Sequence, residues 1–468
     1  MEITRELFVI PKNDQFILYA PLEGSAMQVG GGVIKYLQQV QSGEDPEKLN
    51  RDLFTQLRNQ RVLVDKQREL PPITNEPFAP TSVTLLPTYA CNLRCVYCYS
   101  LGGERVGKVM DKEIARSAID LIIENALEKK VNSVNLGFHG GGEPLLEGNM
   151  PFLDFAVNYF RYQASLAGLR GSVGAVTNGV HNQKMLDWIV QNIDHLSLSI
   201  DGPQDIQDSQ RPKYQGGKLV GSYSDVMNTL KFLEQTRDRQ GKSYNYGMRA
   251  TITDASVSRM SEIVEFFNSI SKNKSFHLEP LFECGRCRTS QARAPKPEDY
   301  LRFMREAEIK AKELGVSIYY SGATLDKIGE EFCGACGRNF FITPDGDVTT
   351  CLEVCRKEDK HAGLFYIGGF DSENKKFDFN TSTITNLKQR KVSSMPHCEN
   401  CFAKYNCSGD CLAKVVEQSG SLRDPSNNFR CGINQGLLLD RLSRELDANI
   451  NKPLAQQINE PPTQTKSC

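Results

Sequence analysis

The feature that most constrains this 468-residue chain is Cys91-Asn92-Leu93-Arg94-Cys95-Val96-Tyr97-Cys98. Its three thiols stand at C-x3-C-x2-C spacing, just after the apolar run Val83-Thr84-Leu85-Leu86-Pro87. Thiolates that close together on a short loop wrap one soft metal ion or one iron–sulfur core. A structural zinc takes four protein ligands, so a partial zinc site or incidental thiols are the plainer alternatives. A cubane held by three thiolates leaves one iron for another ligand.

The chain carries 15 cysteines and a formal charge of -1. That balance gives no nucleic-acid footprint and no basic membrane patch. No apolar run approaches the roughly 20 residues that span a bilayer. The opening M-E-I-T-R-E-L-F has no apolar signal-peptide core. These observations predict a cytoplasmic protein without nucleic-acid or membrane partners. In a reducing compartment, grouped cysteines read as metal or redox chemistry rather than disulfides.

Residues 1–70 read as a separate module. Leu7–Ile10 and Phe16–Tyr19 are apolar runs parted by Pro11–Asp14, a hairpin pattern. Val33, Ile34, Leu37 and Val40 recur at helical spacing, and a second helix is predicted from Pro46 to about Leu57. Arg61–Val64 closes as a strand. This order resembles the winged-helix element by which peptide-modifying enzymes bind a leader peptide along a sheet edge; a cap that only packs on the next domain is the alternative. Four prolines within residues 70–80 mark a linker. From residue 80 to 283, strands and helices alternate: strands at 82–87, Val134–Phe138, Val173–Val176, Leu196–Ile200, up to Ile252 and from Phe276, with helices near 111–128, 183–191, 222–236 and 258–270. Six such units predict a parallel sheet with outer helices and a site at the C-terminal ends of the strands.

The cysteine loop, with Tyr97 before its third thiol, resembles the radical S-adenosylmethionine (SAM) superfamily. The six units then fit that superfamily's open partial (β/α)6 barrel. The resemblance implies a [4Fe–4S] cluster on Cys91, Cys95 and Cys98, with SAM chelating the remaining iron. It assigns SAM contacts to Tyr97, to Gly141, Gly142 and Glu143 of a G-G-E-P segment, to Asn178 of Thr177-Asn178-Gly179, to Ser199 of Ser199-Ile200-Asp201-Gly202, and to Arg211. The family usually has a histidine where this chain has Gln207.

A second cysteine field runs Cys336-x9-Gly346-x4-Cys351, then Cys398-x2-Cys401-x5-Cys407-x3-Cys411, then Cys431. It resembles the SPASM domain of peptide-modifying radical SAM enzymes; a zinc ribbon accounts for neither Cys336 and Cys351 nor the upstream loop. The resemblance implies two auxiliary [4Fe–4S] clusters. One takes Cys336, Cys351 and Cys411 with Cys333 as fourth ligand, for which Cys355 or the Cys284/Cys287 pair compete. The other takes Cys398, Cys401, Cys407 and Cys431. Cys284-x2-Cys287 is a redox pair, a ligand source or two spare thiols, and Cys468 is a terminal thiol.

The expected organisation is thus α/β: a leader-recognition module at 1–70, the radical SAM core at 80–283, a bridging region at 284–330 with a helix from about Pro297 to Leu314, a SPASM domain at 331–435, and a C-terminal helix near 435–446 with a disordered tail. The expected activity is hydrogen abstraction from a ribosomally made precursor peptide by a 5′-deoxyadenosyl radical, ending in a thioether or carbon–carbon crosslink. An external flavodoxin- or ferredoxin-type donor supplies electrons. The alternatives are a formylglycine-forming, sulfatase-activating maturase and a non-enzymatic iron–sulfur electron-transfer protein. Asp201, Glu279 and the Cys284/Cys287 pair are candidates for lining the substrate cavity.

Overall fold

Seven strands run parallel and in sequence order through the centre of the protein: Ser82–Leu85, Ser133–Phe138, Arg170–Thr177, His195–Ser199, Tyr246–Ile252, Ser275–Pro280 and Ser317–Tyr319. The structure is a computed structural model and describes residues 1–68, 76–104, 108–236, 244–426 and 428–448. The six expected strands are present. The seventh, Ser317–Tyr319, comes from the bridging region and follows helix Pro297–Glu313.

Each strand buries alternate residues under the outer helices. Val134, Leu136 and Phe138 are at most 1 % exposed, because period-two alternation sends them to one face. Helix Lys112–Glu128 covers them with Ala115, Ala118, Ile119, Ile122 and Ala126, all fully buried. The alanines let helix and sheet approach closely. Asp111 caps this helix, accepting from the Glu113 backbone N–H at 2.8 Å. Helix Met150–Leu166, absent from the sequence reading, completes the second unit. It follows the glycine-rich turn through a short 3-10 segment at Glu147–Asn149, so turn residues obscured its start.

The sheet does not stop at the first parallel strand. Phe341–Ile342 joins Ser82–Leu85 in parallel, and Asp347–Thr349, Tyr366–Asp371 and Lys376–Phe379 follow antiparallel. The cysteine-rich region is therefore continuous with the central sheet, making 11 strands in all.

The amino-terminal module holds the expected hairpin, Phe8–Lys12 with Gln15–Ala20, plus a third strand, Ser25–Val29. Leu63–Val64 pairs with Glu2–Ile3. The predicted single helix from Pro46 to Leu57 is corrected: Asn50 is extended (φ -163°, ψ 106°) and divides it into Pro46–Leu49 and Arg51–Asn59. The Asn50 side chain accepts from Leu53 N–H at 3.0 Å, so a side-chain cap outcompetes one helical turn. The C-terminal helix is longer than expected, Arg430–Ala448, and carries Cys431. The tail reading and Cys468 lie outside the described residues, as does most of the linker. Among the described residues no helix is long and apolar enough to cross a membrane.

Candidate active site

The cysteine loop leaves the end of strand Ser82–Leu85 and is pinned on three sides. Arg94 N–H donates to Pro212 O at 2.7 Å and Val96 N–H to Gln210 O at 2.9 Å. The Arg94 guanidinium reaches Cys91 O and Gly103 O, both at 2.8 Å. From the bridging region, Arg286 donates to Cys95 O at 2.8 Å and Gly102 O at 3.0 Å, and its backbone N–H to Cys98 O at 2.9 Å. Gly285, at φ +53°, makes that approach possible, since a Cβ there would stand 2.4 Å from Cys98 O.

Donors converge on the sulfurs. Leu93 N–H lies 3.4 Å from Cys91 Sγ, Asn178 Nδ2 3.7 Å from the same atom, and Gly102 N–H 3.4 Å from Cys98 Sγ. Burial, followed by the neighbouring Cys95, pushes the Cys91 thiol up; burial also raises Cys95, to about 11, against the pull of Arg211. Thiols so placed ionise when a metal supplies the missing positive charge. Donors aimed at sulfur and three mutually interacting thiols fit a cluster.

The glycine-rich turn packs directly on this loop. Gly142 N–H donates to Thr88 O and Glu143 N–H to Ala90 O, each at 2.9 Å. A Cβ on Gly142 would fall 2.0 Å from Ala90 O. Glu143 is 3 % exposed and ties its own turn to the end of the next strand: it accepts from Asn178 N–H at 2.7 Å, Thr177 Oγ1 at 2.9 Å and Leu145 N–H at 3.0 Å. Burial pushes its carboxyl up to about 7 despite those donors. Asn178 Nδ2 donates to Asn92 Oδ1 at 2.7 Å.

Tyr97, half-buried, links the buried Asp201 and Arg211 in one chain. Tyr97 donates its hydroxyl proton to Asp201 Oδ2 at 2.6 Å and accepts from Arg211 Nη1 at 2.7 Å. Arg211 Nε is buried with no hydrogen-bond partner, an orphaned donor of the kind an anionic ligand satisfies. Asp201 also accepts from Thr251 N–H at 3.0 Å and Gln210 Nε2 at 2.7 Å. It is thereby a structural hub rather than a cavity-lining acid. Gln207, where the family has histidine, is fully buried; it accepts from Asp201 N–H at 2.9 Å and donates to Ser222 Oγ at 3.0 Å. The amide thus fastens the turn that presents Arg211.

Ser199 begins a row across the sheet. In register it stands beside Arg249, Arg249 beside His277, and His277 beside Tyr319, and paired residues of a parallel sheet share a face. Their neighbours Leu198, Ala250 and Leu278 lie fully buried, so the row is on the face away from those residues. The His277 and Tyr319 rings stack at 4.7 Å. Glu279, beyond the row, accepts from Arg430 at 2.7 Å, Ser321 Oγ at 2.7 Å and Lys414 at 3.3 Å, and meets His277 Nε2 at 2.9 Å. Burial opposes its charge, but Arg430 and Lys414 outweigh burial and hold it well below the usual carboxylate range. Glu279 is a fixed anion between the barrel and the cysteine-rich domain.

The structure brings Cys398, Cys401, Cys407 and Cys431 around one cavity of about 30 Å³, with Lys404, Asp410, Asn434 and Gln435 in its wall. Asn434 Nδ2 lies 3.2 Å from Cys407 Sγ and Gln435 Nε2 3.5 Å from Cys401 Sγ. Four thiols with amide donors on two of their sulfurs are a donor set that suits an iron–sulfur cluster. In the other set, Cys351 lies within electrostatic range of Cys411 and Cys333. Cys336 is fully buried and its thiol instead meets Arg390. Cys355 is near Cys98 and Gly141, and Cys284 is near Glu353, Cys287 and Lys414. Among the described residues no three His, Cys, Asp or Glu side chains close on a point tightly enough for a single ion; a cubane is a larger body whose ligands stand at its corners.

Arg390 is the residue that sequence reasoning missed most plainly. Fully buried, it donates to Leu422 O at 3.0 Å, Ser408 O at 2.9 Å and Asp410 O at 3.2 Å. It thereby holds a turn in which Ser408, Gly409 and Asp410 all have positive φ, the bend that delivers Cys411. Arg286, Arg430 and Lys414 were missed likewise; each stands alone in sequence and acquires a partner only through the fold.

Residues 85–255 match the radical SAM superfamily model. The chain carries a radical SAM enzyme domain. Among similar proteins, a cysteine-type anaerobic sulfatase-maturating enzyme of Clostridium perfringens (strain 13 / Type A) is 24% identical over 381 residues, spanning 75% of this chain and 94% of its own. The solved structure of native anSMEcpe with bound AdoMet superposes with a TM-score of 0.59 at 19% identity, covering 78% of this chain and 99% of that one. Streptococcus suis SuiB bound to precursor peptide SuiA gives 0.51 at 14% identity, covering 92% and 99%. The radical SAM fold, with its large mostly parallel sheet, is shared with both.

Proposed function

We propose that this chain is a radical SAM/SPASM maturase that takes hydrogen from a ribosomally made precursor peptide and oxidatively forms a thioether or carbon–carbon crosslink. The amino-terminal module carries the reading. It supplies a three-stranded sheet with helices, the form that recruits a leader peptide by strand addition. A likeness spanning 92% of this chain to a protein solved with its precursor peptide supports it.

Cys91, Cys95 and Cys98 would hold the SAM-binding cluster, which with SAM bound supplies a 5′-deoxyadenosyl radical. The protein's own part is placement. Gly141 and Gly142 bring backbone against the cysteine loop without a Cβ in the way. Glu143 fixes that backbone to Asn178. Arg211 offers its open Nε to an anionic group, and Ser199 stands at the adjoining strand end. Cys398, Cys401, Cys407 and Cys431 would hold one auxiliary cluster; Cys333, Cys351 and Cys411, with Cys336 beside Arg390, would hold the other. The site's position between barrel and cysteine-rich domain restricts water around reactive intermediates. An external one-electron donor and a cytoplasmic setting belong to this reading.

A second reading, a maturase for whole proteins, is favoured by the sulfatase-maturating relative. Incubating the reconstituted enzyme with SAM, reductant and either a leader-bearing precursor peptide or a sulfatase-derived peptide separates them. Loss of about two mass units from the precursor, with a crosslinked fragment by tandem mass spectrometry, supports the crosslinking reading. Formylglycine in the sulfatase peptide, with the precursor unchanged, rejects it.

A further inference from the structure

The amino-terminal module packs on the far end of the chain. Ile10, Ile17, Tyr19 and Ala26 form one buried core with Ala323, Ala403, Cys407, Leu438 and Leu442. Cys407 is among the thiols assigned above to the second auxiliary site, and Leu438 and Leu442 lie on the helix that carries Cys431. Part of that site's wall is therefore braced by residues from the opposite end of the chain, and the polar contacts say which part.

Three consecutive residues before Cys407 are each tied to the module. Glu6 Oε1 accepts from Lys404 Nζ at 2.9 Å and from the Tyr405 hydroxyl at 2.8 Å. Tyr19 donates its hydroxyl proton to Asn406 Oδ1 at 2.8 Å, a pair that is 3% and 0% exposed. Asn406 passes the tie inward, donating to Thr324 O at 2.8 Å. At the other end of the interface Lys12 meets Asp447 at 2.8 Å. Lys404 also lines the thiol cavity, 5% exposed, and its charge acts on the Cys398 and Cys401 thiols while its ammonium is held by Glu6.

We infer that Glu6 and Tyr19 are positioning residues of the second auxiliary cluster, and that the amino-terminal module is a structural part of that cluster's site as well as a peptide-binding element. The inference rests on the two-auxiliary-cluster reading above. Tyr19 and Glu6 hold residues 404–406 so that Cys407 faces Cys398, Cys401 and Cys431. Glu6 also neutralises Lys404. Without that carboxylate, a bare cation beside the cluster favours its more negative, reduced form, and the reduction potential rises. Outer partners that orient metal ligands matter at this level: changing one typically costs about 10–100-fold in metal affinity.

The test uses the full-length reconstituted protein, with Cys398→Ala to mark the irons and the electron paramagnetic resonance signal of this site. Wild type, Glu6→Gln, Tyr19→Phe, their double variant and the surface control Arg58→Ala are compared by iron per chain, rate of iron capture by a chelator, and redox titration of the marked signal. In the double variant the four irons lost in Cys398→Ala are expected to leave about 10–100-fold faster than in wild type. Glu6→Gln raises the marked potential, and Arg58→Ala changes neither. Iron release and potential equal to wild type in both Glu6→Gln and the double variant overturn the inference. If the double variant does not fold, the potential of Glu6→Gln alone decides. If Cys398→Ala costs no iron relative to wild type, the two-cluster reading is rejected, and the inference with it.

Discussion

Arg211 donates to the Tyr97 hydroxyl at 2.7 Å while its Nε stays buried without a partner. One side of the guanidinium is thus spent on orienting the residue before Cys98, and the other is left for a ligand. Because a hydrogen bond to a charged group is worth about 1.5–3 kcal/mol, Arg211→Met is expected to weaken SAM binding by about 10–100-fold. Tyr97→Phe leaves the Arg211 charge in place, removes the hydroxyl's bonds to Arg211 and Asp201, and weakens binding less. Equilibrium dialysis of SAM against the reconstituted protein checks both, and equal affinities would remove Arg211 from the SAM site.

His139 gives a pH dependence. Burial, then Arg249, pulls its imidazole down to about 4 from the ordinary value of 6.5. A histidine held neutral in the folded state and protonated in the unfolded one stabilises the fold fully above pH 6.5. That contribution is lost as pH falls from about 6.5 to about 4, by up to about 1.4 kcal/mol per pH unit. His139→Gln is expected to flatten this part of the profile. Urea midpoints of both proteins across that pH range measure it; parallel profiles would contradict the assignment.

The Glu279–Arg430 pair joins the last long barrel strand to the C-terminal helix at 2.7 Å, with both side chains almost wholly buried. Breaking a buried pair from one side strands the other charge and costs about 3–5 kcal/mol. Arg430→Met is therefore expected to lower the unfolding midpoint sharply. Arg430→Met/Glu279→Gln should recover part of the loss, since of the two buried carboxylates that Arg430 meets only Asp410, 3.1 Å from its Nε, then stays charged. Thermal unfolding of the single and double variants checks the recovery.

The central elements were legible because local chemistry dictates them. The spacing of Cys91, Cys95 and Cys98, the alternation of Val134, Leu136 and Phe138, and the glycines at 141 and 142 each carry their structural reason within a few residues. Cys398, Cys401, Cys407 and Cys431 were readable as a set for the same reason, and the structure gathers them around one cavity. What sequence did not disclose is long-range pairing. Arg286 on the cysteine loop, Arg390 under Cys411 and Tyr19 on Asn406 depend on contacts across 18 to 387 positions, which no periodicity records. Asn50 shows a nearer limit: apolar spacing on both sides favoured one helix, and one capping side chain made two.

The first auxiliary set gives a sharper prediction. Cys351 has Cys411 and Cys333 within electrostatic range, while Cys336 meets Arg390. Cys333→Ala is accordingly expected to lose about four irons per chain on reconstitution. An unchanged iron content would remove Cys333 from the ligand set and turn attention to Cys284, which lies near Lys414 and Glu353 beside this set.

Iron and sulfide content of the anaerobically purified protein, measured for wild type and for the triple Cys91→Ala/Cys95→Ala/Cys98→Ala variant, tests the account most directly. Three clusters predict about twelve irons in wild type and about eight in the variant, with SAM cleavage abolished only in the variant. About four irons in wild type, or SAM cleavage that survives loss of the three thiols, would contradict it.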